Sequence, residues 1–513
     1  MGFFPVDNNG GIFTSDPNFD LLKNQKELSY AQLVSLLDEL NNASMQSAQE
    51  LEDSSFFSWL SFALGCAVAL ADTNTNTNSN LQTNPITLIT SLVQNFLNNS
   101  PDALYAMFNQ QINEGRFKGQ SFVYFWMDNY FSLAYSSNDD LSSFHALNIM
   151  FHELLNVLGS QFCSLLVKNI EEGSEKGKNA LLVLLRSYQK STERAYNELE
   201  VQDIADLFLN CMKKEPDLMA AALTQEITEG LFRGKSCLYL LSGILLKSTL
   251  FGYSHSVTII QDVMLHTLKS HPEQFADALY KCHTSGPYSA LSSFHLILLS
   301  LVEAAYKDKN SVVIAQLMSI ITELATYDKR EPTVISALLE TINNDVHQDL
   351  NGFVFLCRAL IAAMTHHIDV TPMMDFILDV IKRAPAEQLV TAVFQWAPAH
   401  ATPEYTSSPI HQLIQLAGNM NQPIQQQNAQ VIINALAHSQ AASRIYSLLP
   451  PDEHFFFVKE TNPKTKDLLV EPFVPEPAEI AGTLRGASIR FFSLCYEEDE
   501  SNDVAFHFPA SPM

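Results

Sequence analysis

The chain is 513 residues long, 47% apolar and only 17% charged, with 30 Lys and Arg against 56 Asp and Glu and a formal charge of −26. That apolar content excludes a disordered chain, and so acidic a surface repels nucleic acid and anionic lipid, so neither is expected as a partner. The length suits two to four ordinary domains or one repeat array. Seven scattered cysteines (Cys66, Cys163, Cys211, Cys237, Cys282, Cys357, Cys495) form no C-x-x-C pair and argue for free thiols rather than a disulfide framework.

Residues 1–71 read as an irregular arm followed by a helical cap. No basic run opens the chain, so a secretory signal is not expected. Leu33, Leu36, Leu37 and Leu40 share one helix face. Phe56–Leu70 is apolar throughout, but its 15 residues fall short of the roughly 20 that span a bilayer, so a buried helix is expected and no integral span. Asp72–Asn80, alternating Thr and Asn, marks a polar linker over 72–84.

From 85 to 449 the chain repeats itself. Glu114-Gly115-Arg-Phe-Lys118-Gly119 returns as Glu172-Gly173-Ser-Glu-Lys176-Gly177 and as Glu229-Gly230-Leu-Phe-Arg233-Gly234, with the first glycines 58 and 57 residues apart. The first glycines are expected to hold left-handed caps at helix ends, with the cation near the last carbonyls. Each Glu can pair with the Lys or Arg four residues on, or the three turns can share a ligand. Prolines 101, 216, 272, 332 and 385 mark helix starts, with Ser160 in the same register, and Gly115, Gly230 and Gly286 each lie 14 residues beyond their proline.

Each unit reads as three helices: Pro85–Asn99, Asp102–Asn113 and Gln120–Tyr135 in the first, Arg194–Lys214, Asp217–Thr228 and Lys235–Leu250 in the third. The third helix is the most apolar. The fifth unit is expected to carry an insertion at Asn343–Asp349. The sixth holds Pro398, Pro403 and Pro409, and Gln425–Leu449 closes the array. The expected fold is therefore all-α: an α-solenoid of about six three-helix repeats with a period of about 57 residues. A stack of this kind resembles the armadillo and HEAT class of solenoids in architecture, and the resemblance implies a surface that binds protein.

Residues 450–496 change texture. His454–Val458, Leu468–Val470 and Ile489–Tyr496 are strand-like, with prolines between them, so a small irregular, β-containing cap is expected. The acidic tail, 497–513, carries Glu497, Glu498, Asp499 and Glu500, followed by Phe, Ala, Pro and Ser to Met513. This tail resembles the export signal of effectors carried by the Dot/Icm type IVB secretion system of Legionella and related intracellular bacteria. The resemblance implies a protein made in a bacterial cytoplasm and delivered to the host cell cytoplasm, where a host protein would be its partner.

No phosphate-binding, nucleotide-binding, nucleophile-elbow or zinc-protease motif occurs, so no cofactor and no metal is expected. His145 and His152 share one helix face beside Glu153, without a further ligand pair of metal spacing. His366-His367 with Asp369 sits at a helix end. Cys282-His283 leaves open a Cys/His enzyme as the alternative to a non-enzymatic scaffold. Tyr124, Trp126, Asp128 and Tyr130 form an aromatic stripe that fits core packing first and a partner-binding groove second.

Overall fold

The computed structural model describes residues 29–43, 56–73, 84–113, 117–135, 141–173, 175–193, 198–228, 233–282, 291–308, 310–327, 334–342, 350–395, 408–419 and 422–457. It is mostly helical, and among the described residues the only named strands are one two-residue pair. The chain divides into two compact units, residues 1–278 and 279–513.

The first unit contains α1 (Tyr30–Ala43), α2 (Phe56–Thr73), α3 (Pro85–Asn99), α4 (Pro101–Asn109), α5 (Phe122–Tyr135), α6 (Leu141–Leu158), α7 (Ser160–Val167), α8 (Ala180–Glu193), α9 (Glu198–Lys214), α10 (Pro216–Thr224), α11 (Cys237–Phe251) and α12 (Ser254–Ser270). α13 (Pro272–Tyr280) carries the boundary. Packing follows a rule of three: α2 lies on α5, α5 on α8 and α8 on α11, while α3, α6, α9 and α12 make a second column. α4, α7 and α10 make a third. Polar links run along the columns at the same interval. Asn84, which caps α3 by accepting from the Ile86 N–H, donates to Ser143 Oγ at 2.8 Å, 59 residues on. Lys168 Nζ donates to Asn109 Oδ1 at 2.8 Å, again 59 residues away.

The second unit repeats the rule. It contains α14 (Ser293–Glu303, running into a π turn at Ala304–Asp308), α15 (Ser311–Tyr327), α16 (Val334–Leu339), α17 (Gly352–Thr365), α18 (Thr371–Arg383), α19 (Ala386–Phe394), α20 (Pro409–Ala417), α21 (Pro423–Ala437) and α22 (Ala442–Leu448). α14, α17 and α20 stack in order, as do α15, α18 and α21, and α16 lies on α19.

The α2–α5–α8–α11 column is the core. In α11 every residue from Cys237 to Thr249 is buried, as expected of a helix apolar on all sides. Its Ser and Thr hydroxyls turn inward: Ser242 and Thr249 donate to carbonyls four residues back. Phe56–Thr73 takes the first place in this column, so the apolar N-terminal stretch is a buried helix of the first unit. Among the described residues no single helix is long and apolar enough to cross a bilayer.

The step into each core helix differs from the expected glycine cap. α4, α7 and α10 end at Asn109, Val167 and Thr224, and Gln110, Lys168 and Gln225 are already extended. The chain then pairs with itself antiparallel. Ile112, Ile170 and Ile227 donate to the carbonyls of Gln120, Lys178 and Lys235, and accept from the N–H of Gly119, Gly177 and Gly234. Those second glycines hold the left-handed backbone, at φ 83°, 80° and 83°; Gly115 and Gly230 lie outside the described residues. Immediately after the pairing, Ser121, Asn179 and Ser236 accept from the N–H of Tyr124, Leu182 and Tyr239.

The fifth unit keeps the same step without an insertion. β1 (Thr341–Ile342) pairs with β2 (Leu350–Asn351), Ile342 opposite Leu350, and Asn351 caps Val354. The glycine is replaced there, but the pairing interval is unchanged. Two helix starts also move: Ser160 is the first residue of α7, with Gly159 before it, and Pro385 precedes α19 rather than opening it. The closing helix is two, α21 and α22, and His454–Phe457 is a 3-10 turn rather than a strand. Residues 458–513, including the other two strand-like runs, lie outside the described residues.

Adjacent turns interlock. A Cβ on Gly119 would stand 2.5 Å from the Glu172 carbonyl oxygen, and one on Gly173 (φ 88°) would stand 2.2 Å from that of Lys118. Gly159 also has positive φ, at 52°, but a Cβ there meets nothing. Gly119→Ala and Gly173→Ala should therefore each cost more than the ~1–2 kcal/mol of a positive-φ backbone alone, and Gly159→Ala only its own backbone strain. Urea unfolding of the three variants measures the difference.

Candidate functional site

Of the three turns, only the second has both partners of its expected ion pair, Glu172 and Lys176, among the described residues. Glu114 and Glu229 lie outside the described residues. Lys118, Glu172, Lys176 and Arg233 are exposed. An ion pair in the second turn joins Lys178 to Glu175, and Glu175 also accepts from the Tyr124 hydroxyl at 2.9 Å. Burial, then the Asp128 and Glu175 charges, push the Tyr124 phenol well above its ordinary range. Among the described residues, the first two turns are joined by the close approach of Gly119 to Glu172 and of Gly173 to Lys118, and by the Tyr124–Glu175 hydrogen bond.

The aromatic stripe faces inward. Trp126 and Tyr130 are fully buried and Tyr124 nearly so; Asp128 is half-buried. The Trp126 indole donates to Ser61 Oγ at 2.7 Å and lies parallel to Phe57. Tyr130 donates to Asn148 Oδ1 at 2.9 Å and stacks on Phe144. These rings tie α5 to its neighbours, and burial removes them from any surface groove.

A shallow groove that the sequence does not announce runs between α15 and α18, with a volume of about 360 Å³. Ala325, Pro372 and Phe376 make its apolar lining. Thr322 and Thr326 line the α15 side; their hydroxyls donate to the Met318 and Thr322 carbonyls of their own helix, at 2.9 and 3.0 Å. Asp375, Asp379 and Arg383 line the α18 side. Arg383 is held by Asp379 at 2.8 Å, whereas Asp375 is exposed and makes no hydrogen bond or ion pair among the described residues.

Two titratable clusters elsewhere have structural explanations. Ser292 and His295 form a capping box at the start of α14, with His295 Nδ1 accepting from the Ser292 N–H at 3.2 Å. At the start of α20, Ser408 Oγ lies 2.5 Å from His411 Nδ1, and His411 Nε2 lies 3.4 Å from Glu453 Oε2. Ser408 is fully buried, so this serine, histidine and glutamate fasten the 3-10 turn to α20. His145 bonds Asp203 across to α9 at 3.1 Å, and His367, with φ 59°, ends α17.

The Cys/His alternative has one member within the described residues. Cys282 is exposed, and burial of its thiol together with the Glu340 charge pushes its pKa up, the wrong direction for a nucleophilic thiolate. His283 lies outside the described residues, as does the Glu497–Glu500 block. No group of three or more metal-ligating side chains gathers among the described residues. Comparison with protein-family models, with curated proteins and with solved structures finds no match to this chain.

His295 supplies a pH test of the packing. Burial lowers its pKa to about 4, and its Nε2 has no hydrogen-bond partner among the described residues. Between about pH 6.5 and 4 the unfolded chain takes up a proton that the folded chain refuses, so stability falls as pH falls, by at most ~1.4 kcal/mol per pH unit. His295→Gln should flatten the melting temperature against pH in that window relative to the parent protein, and parallel curves would show that the imidazole is not buried neutral.

Proposed function

We propose that this protein is a non-enzymatic interaction scaffold, an α-solenoid whose three-helix period of about 57 residues presents a continuous helical surface to a partner protein. The observation that carries this reading is the rule of three: in each unit the helices pack on those three places on, and the links Asn84–Ser143 and Asn109–Lys168 span 59 residues. Stacked units of this kind bury a shared core and leave one helix of each unit facing outward. The acidic surface directs the choice of partner toward neutral or basic proteins. We further propose that the protein is an exported effector, on the strength of the Glu497–Glu500 block, and that its partner is a host protein.

The full chain added to host-cell lysate should retain one dominant protein at fixed stoichiometry. Hydrogen exchange of that complex should slow along the surface residues of one helix column. Turnover of a substrate without a lasting complex would instead favour an enzyme. Removing residues 497–513 should abolish delivery of a reporter fusion into host cells while leaving the melting temperature nearly unchanged. Unchanged delivery would remove the effector reading and leave the scaffold.

A further inference from the structure

The chemistry of the α15–α18 groove specifies what it can take. Every polar group on its walls that is not already committed is an acceptor. The Thr322 and Thr326 hydroxyls spend their protons on carbonyls of α15, so these lining residues have only oxygen lone pairs left to offer. Asp375 and Asp379 add carboxylate oxygens, and Arg383, the one cation in the lining, is engaged by Asp379. An anion or a second acceptor-rich surface would meet only like charge and lone pairs there.

An occupant must therefore bring donors, positive charge and an apolar stem to lie over Pro372 and Phe376. Arginine meets all three conditions. Its guanidinium has five donors and no acceptor, and its methylene stem covers apolar surface while the head stays at the rim. Acceptors stand on both walls, two from α15 and two from α18. A planar fork can serve both at once, whereas the lysine ammonium is a compact, strongly hydrated point. The groove volume of about 360 Å³ lies at the low end of the range for small-ligand sites, roughly 300–1,000 Å³, and so suits one side chain with its flanking backbone better than a folded helix.

We propose that the α15–α18 groove docks an arginine side chain of a basic, extended segment of a partner protein, with the guanidinium on Asp375 and the stem over Phe376. This rests on the scaffold reading and names the chemistry of its partner. The groove lies wholly within the second unit and needs no contribution from the first.

The test uses the full-length chain and a labelled synthetic peptide of alternating Arg and Gly, with Lys and citrulline counterparts, followed by fluorescence anisotropy. The arginine peptide should bind best, the lysine peptide several-fold more weakly, and the neutral citrulline peptide least. Asp375→Asn should weaken the arginine peptide by about three- to fivefold, the upper range for an exposed ion pair. Asp102→Asn, an exposed site in the first unit, removes the same single charge from a chain of −26 and should leave binding unchanged within twofold. Equal weakening by the two substitutions, or equal binding of the three peptides, would overturn the proposal in favour of diffuse attraction to an acidic surface. Undiminished binding to Asp375→Asn, or no binding of any peptide, would overturn it too, while a stoichiometric complex from lysate would still support the scaffold.

Discussion

The fold depends on how the chain enters its core helices. α8, α11, α14 and α17 are apolar on nearly every side, so their first turns are buried among neighbours and their free N–H groups have no water to meet. The chain meets this constraint in the same way on entering α5, α8, α11 and α17. A short antiparallel pairing places a buried isoleucine (Ile112, Ile170, Ile227 or Ile342) beside the incoming strand. A serine or asparagine next along the chain then caps the helix: Ser121, Asn179, Ser236, Ser292, Asn351. A cap of this kind is worth about 1 kcal/mol. Ser408 occupies the sixth such place, and its hydroxyl bonds an imidazole instead.

This entry fixes what faces out. Once the core column is enclosed on all sides, each unit has one long helix left to carry a surface, as α15 and α18 do. The groove between them is lined by the small and flat residues Ala325 and Pro372. Its acceptor character follows from helix chemistry: a threonine on a helix donates to the carbonyl four residues back and presents its lone pairs outward.

The mostly helical architecture was legible from apolar spacing, and the proposed period rests on the glycines and prolines that punctuate the chain. The physical role of the punctuation was not legible. The capping residues 121, 179, 236, 292, 351 and 408 carry the register on past the last of the glycines, but Ser and Asn are so common in this chain that they carry no signal singly. The fifth unit read as an insertion because glycine is missing from 343–349, while the conserved interval from Ile342 to Leu350 was hidden in a pairing only the fold displays. His454–Phe457 has the residues of a strand, yet the prolines before it leave the chain turning and it closes as a 3-10 turn. The groove had no sequence mark at all, since its walls come from residues about 50 apart joined by no motif.

The central claim is that each three-helix repeat packs on the next at one period. It is tested most directly by spin-label distances among Lys118→Cys, Lys176→Cys and Arg233→Cys, with Cys282 and Cys495 replaced by Ser. Gly119 touches Glu172 and Gly173 touches Lys118, so the account predicts a short 118–176 distance and a 118–233 distance longer by roughly one helix spacing, about 8–10 Å. Equal distances for the two pairs would contradict it.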